Sequence, residues 1–219
     1  MKKVLVLFLC AVLMILAVYG ANQLAKKNYT KEGDIYLTLV NRNHKLPDDW
    51  LDHIDLVSDF DPWGDEVKVE RETLAHFEEL SAFLLSEYGI DIKLDSVYRS
   101  VADQEWLWNE FKEKYGEEYC QQYVAKPGYS EHHTGLAVDI CLVKDGEIIN
   151  DNDQMLAEEE IFFRVHQHLA EYGFILRYPP GKEDITGYAY EPWHLRYVGE
   201  HAAFDITGRG ITLEEYLAN

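Results

Sequence analysis

The sequence is poor in basic residues. It contains 20 lysines and arginines against 40 aspartates and glutamates, which gives a formal net charge of −20. No basic cluster offsets this charge, and a surface of this sign repels nucleic acid. Anionic lipid is an equally poor electrostatic partner for the folded part of the chain. We interpret the acidity as a source of solubility at an outer surface.

Cysteine is also scarce, with three residues in the chain. Cys10 lies in an apolar N-terminal stretch, so Cys120 and Cys141 are the two that a soluble domain could pair. Their spacing leaves both the paired and the free state open. No CxxC spacing is present, which argues against a structural zinc site built from cysteines.

Internal repeats and low-complexity segments are absent, and the chain has one long hydrophobic run. That run covers residues 4–19 without a charge, and two lysines precede it. We therefore expect residues 1–21 to form a signal anchor that crosses the membrane, with a cleaved signal peptide as the alternative. Residues 22–34 are predicted as a tether. The domain at 35–219 is then expected outside the cytoplasmic membrane.

Hydrophobic periodicity and turn residues predict a mixed α+β domain. The predicted strands cover residues 35–40, 91–98, 135–143, 147–149, 174–178 and 193–198. The predicted helices cover residues 71–88, 101–115 after the cap residue Ser100, 156–172 and 213–217. Asp145-Gly146 predicts a tight hairpin turn. Because helices and antiparallel hairpins do not alternate regularly, we expect a central, mostly antiparallel sheet flanked by helices, with a functional cleft on the sheet.

A turn rich in small and polar residues, Gly128–Gly135, runs into a strand whose two faces differ. One face carries Leu136, Val138 and Ile140, and the other carries Ala137, Asp139 and Cys141. A carboxylate in the middle of a strand needs a partner when it is buried. An arginine would satisfy it. A metal ion would also do so, and His132 in the preceding turn could reach the same ion.

A second group of functional side chains lies in Glu191-Pro-Trp-His194-Leu-Arg-Tyr197. Trp193, Leu195 and Tyr197 share one strand face, while His194 and Arg196 share the other. A histidine on a strand is more often an ordinary core residue than a metal ligand. Two strands with polar faces, each carrying a ligand-type residue, favour the metal site.

Together, His132, Asp139 and His194 form a set of two nitrogen ligands and one oxygen ligand. Catalytic zinc has three protein ligands and an open position, so we predict one Zn²⁺ per chain. Glu191 lies close enough in sequence to His194 to act as the general base. The alternative is that Glu191 is a fourth ligand, which would close the site and make the zinc structural.

Two motifs give these residues a family resemblance. Ser130-x-His132-x-x-Gly135-x-Ala137-x-Asp139 resembles the SxHxxGxAxD signature of VanY-type D-alanyl-D-alanine carboxypeptidases. Glu191-Pro-Trp-His194 resembles the second signature of that family, ExxH with a tryptophan before the histidine. The resemblance covers roughly residues 35–217.

The resemblance implies a zinc carboxypeptidase that removes the terminal D-alanine from peptidoglycan stem peptides. It also implies roles for three further residues. Arg99, in Tyr98-Arg99-Ser100, would hold the substrate carbonyl, the oxyanion or a peptide carboxylate. Ser130 would bind the terminal carboxylate, and Gln104 would contact the peptide. Val97 departs from the family, in which a glycine is common before the tyrosine.

The same site chemistry is compatible with other activities. An L,D-carboxypeptidase and a peptidoglycan endopeptidase differ from the main prediction in how the cleft closes around the terminal carboxylate. A D,D-dipeptidase is a third alternative, but that activity usually acts on cytoplasmic pools, and the predicted N-terminal anchor argues against it. An inactive zinc-containing domain that binds cell-wall peptides is a prediction of a different class. The presence of Glu191 argues against an inactive domain.

Overall fold

The computed structural model describes residues 35–218. The predicted anchor at 1–21, the predicted tether at 22–34 and Cys10 lie outside these residues. Between residues 35 and 218, no helix is both long and apolar enough to cross a membrane.

The structure contains a two-stranded hairpin and a five-stranded antiparallel sheet. The hairpin pairs β1 (Leu56–Phe60) with β2 (Glu66–Glu70). The order in the larger sheet is β3-β4-β7-β6, and β5 also pairs with β4. Its strands are β3 (Asp91–Ser96), β4 (Ala137–Lys144), β5 (Glu147–Ile149), β6 (Phe174–Leu176) and β7 (His194–Tyr197).

Eight α-helices and four short 3₁₀ turns complete the described residues. The α-helices are α1 (Arg71–Tyr88), α2 (Val101–Tyr115), α3 (Glu117–Tyr123), α4 (Asn152–Ala157), α5 (Glu159–His168), α6 (Glu183–Thr186), α7 (Glu200–Arg209) and α8 (Leu213–Leu217). The 3₁₀ turns are Ile35–Leu37, Trp50–Asp52, Glu131–Thr134 and Leu169–Tyr172. Ser100 caps α2 as expected, since its hydroxyl accepts a hydrogen bond from the backbone N–H of Asp103 at 3.1 Å.

The main core lies between one face of the larger sheet and helices α1 and α5. Buried side chains from these elements form one hydrophobic cluster that includes Phe77, Leu80, Leu84, Val138, Ile140, Phe162, Val165, Leu195 and Tyr197. A second cluster joins α7 and α8 to β6. Because strand side chains alternate between faces, the opposite face of β4 and β7 carries Asp139, His194 and Arg196. The predicted α+β fold and the predicted division of faces are therefore confirmed.

Two predicted elements were wrong. Residues 35–40 form no strand, because a 3₁₀ turn covers Ile35–Leu37 and the backbone carbonyls of Tyr36 and Thr38 accept hydrogen bonds from Arg196. The predicted helix at 156–172 is instead α4, α5 and a 3₁₀ turn, with a break at Glu158 where ψ is 45°. The structure also adds β1, β2, α3, α6 and α7, which the sequence pattern did not predict.

Candidate active site

Three predicted ligands converge on the polar face of the larger sheet. Asp139 on β4 is the direct cross-strand partner of His194 on β7. His132 lies in the 3₁₀ turn that precedes β4. One ligand-type atom from each of these residues lies within 4.8 Å of the others. The structure therefore brings together the three side chains that the sequence singled out.

Hydrogen bonds orient both imidazoles. Nδ1 of His132 lies 2.8 Å from the carbonyl oxygen of Val97, which accepts its proton and leaves Nε2 facing Asp139 at 3.2 Å. Nε2 of His194 lies 3.4 Å from a carboxylate oxygen of Glu131, which leaves Nδ1 facing Asp139 at 2.7 Å. Each ring therefore points one nitrogen at the centre, where a metal ion would be bound.

The charges at this centre suit a cation. Burial lowers the pKa of His132, which favours the neutral imidazole that metals bind. Burial disfavours the charged form of Asp139, but the imidazoles of His132 and His194 outweigh this effect and hold its pKa well below the usual range. Two nitrogens and one carboxylate with an open side match the donor set of a catalytic zinc site. The residues present therefore fit Zn²⁺.

Glu191 lies beside this group rather than within it. Its carboxylate is 4.0 Å from Nδ1 of His194, and its side chain is 22% exposed. Burial raises the pKa of Glu191 to about 7. The charge of His194 lowers this pKa, and the charges of Asp139 and Glu131 raise it further. A carboxyl group with a pKa near neutrality is suited to general base catalysis.

Arg99 and Gln104 form one unit in the wall of the cleft. The Arg99 guanidinium donates to Oε1 of Gln104 at 2.8 Å and to the hydroxyl of Ser96 at 2.7 Å. The amide nitrogen of Gln104 donates to the carbonyl of Ala125 at 2.8 Å. Since both ends of the Gln104 amide are engaged within the protein, Gln104 orients Arg99.

Ser130 lies at the start of the turn that carries His132. Its side chain is buried and lines the cleft, and its hydroxyl accepts a hydrogen bond from the backbone N–H of His132 at 3.4 Å. The neighbouring His133 points away from the metal group. Its ring accepts from the N–H of Gly128 at 3.0 Å and contacts the carbonyl of Arg99 at 2.7 Å. His133 therefore fixes the turn.

The cleft has a volume of about 250 Å³ and an aromatic lining. Its rings come from Phe111, Tyr119, Tyr123, Tyr178, Tyr188 and Trp193. The ring of Tyr178 lies 4.7 Å from that of His194. Cys120 and Cys141 are both buried and free, so the structure has no disulfide between them.

The sequence analysis missed a buried charged group behind His194. Glu131 accepts hydrogen bonds from Arg177 at 2.7 Å and from Arg196 at 2.8 Å, and both arginines are completely buried. These cations outweigh the opposing effect of burial and hold the pKa of Glu131 well below its usual range. An available signal was an arginine within or directly after each of two short strands, in Leu176-Arg177 and Leu195-Arg196.

Comparison with known proteins agrees with this geometry. A bifunctional D-Ala-D-Ala dipeptidase and D-Ala-D-Ala carboxypeptidase, VanXYC of Enterococcus gallinarum, is 39% identical over 184 residues, or 82% of this chain and 92% of the relative. A mutant of a vancomycin resistance D,D-pentapeptidase VanY, solved in complex with Zn(II), is 30% identical with a TM-score of 0.69. The match covers 84% of this chain and 99% of that one.

A third similar protein is the LD-carboxypeptidase LdcB. Its structure is 36% identical with a TM-score of 0.71, and the match covers 84% of this chain and 86% of that one. The family model described as VanY, D-alanyl-D-alanine carboxypeptidase, matches residues 66–200. The chain belongs to the VanY family of D-alanyl-D-alanine carboxypeptidases.

Proposed function

We propose that this protein is a zinc-dependent carboxypeptidase that hydrolyses the terminal D-alanine from the stem peptides of peptidoglycan. The observation that carries the proposal is an open three-ligand group beside the partly buried carboxylate of Glu191, in a cleft that also contains an arginine. The activity of VanXYC and the zinc in the VanY structure support the same function.

His132, Asp139 and His194 would hold the zinc ion. A bound zinc polarises the scissile carbonyl and lowers the pKa of water at its open position. Asp139 and His194 are fixed by direct strand pairing, and His132 is fixed by its hydrogen bond to Val97. The protein therefore supplies an ordered set of ligands before the substrate arrives.

Glu191 is the proposed general base. Its carboxylate takes a proton from the attacking water and delivers that proton to the amine of the departing D-alanine. The C–N bond breaks, and the water oxygen remains on the new terminal carboxylate of the shortened peptide. The position of Glu191 beside the three-ligand group favours this role over that of a fourth ligand.

Arg99 is the proposed electrostatic anchor for the substrate. Its guanidinium lines the cleft, and Gln104 and Ser96 hold it in place. A guanidinium in this position donates to the carbonyl oxygen as charge develops, or to a peptide carboxylate. The hydroxyl of Ser130 is the proposed donor to the free terminal carboxylate. Gln104 contributes to peptide binding indirectly, by orienting Arg99.

The test is mass spectrometry of synthetic peptides after incubation with the purified full chain and Zn²⁺. We expect a pentapeptide ending in D-Ala-D-Ala to lose one D-alanine. Glu191→Gln should keep stoichiometric zinc and lose about 100-fold or more in kcat. Loss of zinc in this variant would instead support the closed, four-ligand site. A variant with near-native turnover would refute both roles of Glu191.

Recognition of the free chain end gives a second test. Amidation of the terminal D-alanine removes a charge-assisted contact, so we expect kcat/KM to fall about ten- to hundredfold. Ser130→Ala should impair cleavage of the acid and add a smaller loss on the amide. Equal cleavage of acid and amide would identify an endopeptidase with an open cleft.

L,D-carboxypeptidase activity is the second candidate, favoured by the similarity to LdcB. A tetrapeptide that ends in one D-alanine on an L-configured centre distinguishes it from the main proposal. Faster loss of D-alanine from the tetrapeptide than from the pentapeptide would favour L,D specificity. Free D-Ala-D-Ala, included in the same assay, tests for the dipeptidase activity named for VanXYC.

We also propose that residues 1–21 keep the enzyme at the outer face of the cytoplasmic membrane. The proposal is supported by the uncharged run at residues 4–19, by the lysines before it, and by a substrate that is part of the cell wall. Protease added to intact protoplasts should digest the domain. Complete protection would place the domain in the cytoplasm and favour a dipeptidase.

A further inference from the structure

The carboxylate behind His194 is held by an extended network of buried charges. One oxygen of Glu131 accepts hydrogen bonds from Nε of Arg177 and from Nη1 of Arg196, and the other faces Nε2 of His194. The side chain of Glu131 is 1% exposed, and those of both arginines are 0% exposed. Three charged groups are thus buried directly behind one proposed metal ligand.

The outer contacts of this network come from residues near the two ends of the domain sequence. Arg177 donates to the two carboxylate oxygens of Glu214 at 2.9 and 2.6 Å, and Glu214 also accepts from the amide of Asn41 at 3.1 Å. Arg196 donates to the backbone carbonyls of Tyr36 and Thr38 at 3.1 and 2.8 Å. All of these outer partners lie outside the stretch matched by the family model, residues 66–200.

This arrangement has a specific consequence for His194. An imidazole with a hydrogen-bond acceptor at one nitrogen is fixed in ring orientation and tautomer, which makes the other nitrogen a better ligand. The two buried arginines hold the carboxylate of Glu131 in this position by direct hydrogen bonds and compensate for its buried charge. Glu214 in turn fixes the guanidinium of Arg177.

We infer that Glu131 is a positioning residue for the metal centre, held by Arg177 and Arg196. We further infer that Glu214 on α8 completes its support from outside the stretch matched by the family model. The inference rests on the metal-dependent function proposed above. It assigns residues 36–41 and helix α8 a part in metal binding, in addition to their packing against the domain.

The test compares the Zn²⁺ affinity of the full chain and its variants, measured in competition with a chromophoric chelator. Outer partners of metal-ligating histidines contribute typically 10–100-fold to metal affinity, so we expect Glu131→Gln to weaken Zn²⁺ binding by about that factor. Glu214→Gln, one step further away, should weaken it by less than about tenfold but measurably.

Glu70→Gln is the matched control. Glu70 is also buried, and its carboxylate caps α1 by accepting from the N–H and the hydroxyl of Thr73, both at 2.9 Å, rather than contacting one of the three proposed ligands. We expect this variant to lower the melting temperature of the metal-free protein without changing Zn²⁺ affinity. If the network only stabilises the fold, Glu131→Gln and Glu214→Gln should likewise lower the melting temperature and leave Zn²⁺ affinity unchanged.

Zn²⁺ affinities within twofold of wild type for both variants would therefore overturn the inference. If Glu131→Gln fails to fold, the more peripheral Glu214→Gln decides the question, since the Glu214 side chain is already 14% exposed. The affinity measurement needs no substrate. A chain that binds Zn²⁺ but releases no D-alanine would refute the proposed function and leave this inference intact.

Discussion

Glu191→Gln should stabilise the metal-free protein at neutral and alkaline pH. Burial raises the pKa of the Glu191 carboxyl from an ordinary value of 4.5 to about 7. The folded state therefore holds this proton more tightly than the unfolded state does. Wild-type stability consequently falls as the pH rises from about 4.5 to about 7, and the full cost is present above 7. This pKa difference corresponds to at most about 3 kcal/mol.

Glutamine has a similar shape and does not ionise, so it avoids this cost. Urea unfolding in the presence of a chelator measures the free energy of unfolding for both proteins. We expect the advantage of the variant to be about 2 kcal/mol larger at pH 8 than at pH 5. Glu113→Gln, on the exposed surface of α2, is the control and should show no such change. An advantage that is equal at both pH values, or smaller at pH 8, would refute the proposed desolvation of Glu191.

Three further predictions concern the metal group and its turn. Replacing His132, Asp139 or His194 with alanine should in each case reduce Zn²⁺ content and abolish activity. Metal content is measured by elemental analysis, and unchanged content in all three variants would eliminate the site. Zn²⁺ binding at pH 7 should release about one proton from His194, because Asp139 and Glu131 outweigh the effect of burial and raise the pKa of His194 to about 10. Calorimetry in buffers of different ionisation enthalpy tests this prediction. A binding enthalpy that is the same in all buffers would refute it. Gly135→Ala should cost about 1 kcal/mol or more beyond the cost of Gly146→Ala. Both positions have positive φ, but only at Gly135 would the new Cβ lie 2.7 Å from a methyl of Leu56 and 3.3 Å from the backbone nitrogen of Glu70. Equal losses in thermal unfolding would contradict the predicted crowding.

The grouping of His132, Asp139 and His194 was predictable because it depends largely on short-range rules. Side chains alternate along a strand, so Asp139 and His194 lie on the faces opposite to the apolar faces of their strands. The distance from His132 to Asp139 is spanned by one turn and the start of one strand. None of these steps required knowledge of which strands pair. The structure adds that β4 and β7 are neighbours, which makes Asp139 and His194 direct partners.

The network around Glu131 was not predictable in the same way. Glu131 is adjacent to His132, and nothing local distinguishes it from a solvated glutamate. Its role depends on Arg177 and Arg196, which lie 46 and 65 residues away in sequence. The incorrect strand at 35–40 has the same origin. The carbonyls that a strand would use for pairing are taken by Arg196, so the tertiary contact overrides the local pattern.

The two parts of the cleft differ in how tightly the chain holds them, and this difference bears on specificity. The metal group is fixed by strand pairing, by the hydrogen bond to Val97 and by the charges behind His194. One aromatic wall of the cleft, formed by Phe111, Tyr119 and Tyr123, comes instead from α2 and α3, and Tyr123 is 45% exposed. The bifunctional VanXYC and the LD-carboxypeptidase LdcB are similar to this chain at 39% and 36% identity, although their names specify different bonds. Because a shift of His132, Asp139 or His194 would disturb the proposed zinc site itself, we expect substrate choice to depend on this wall instead.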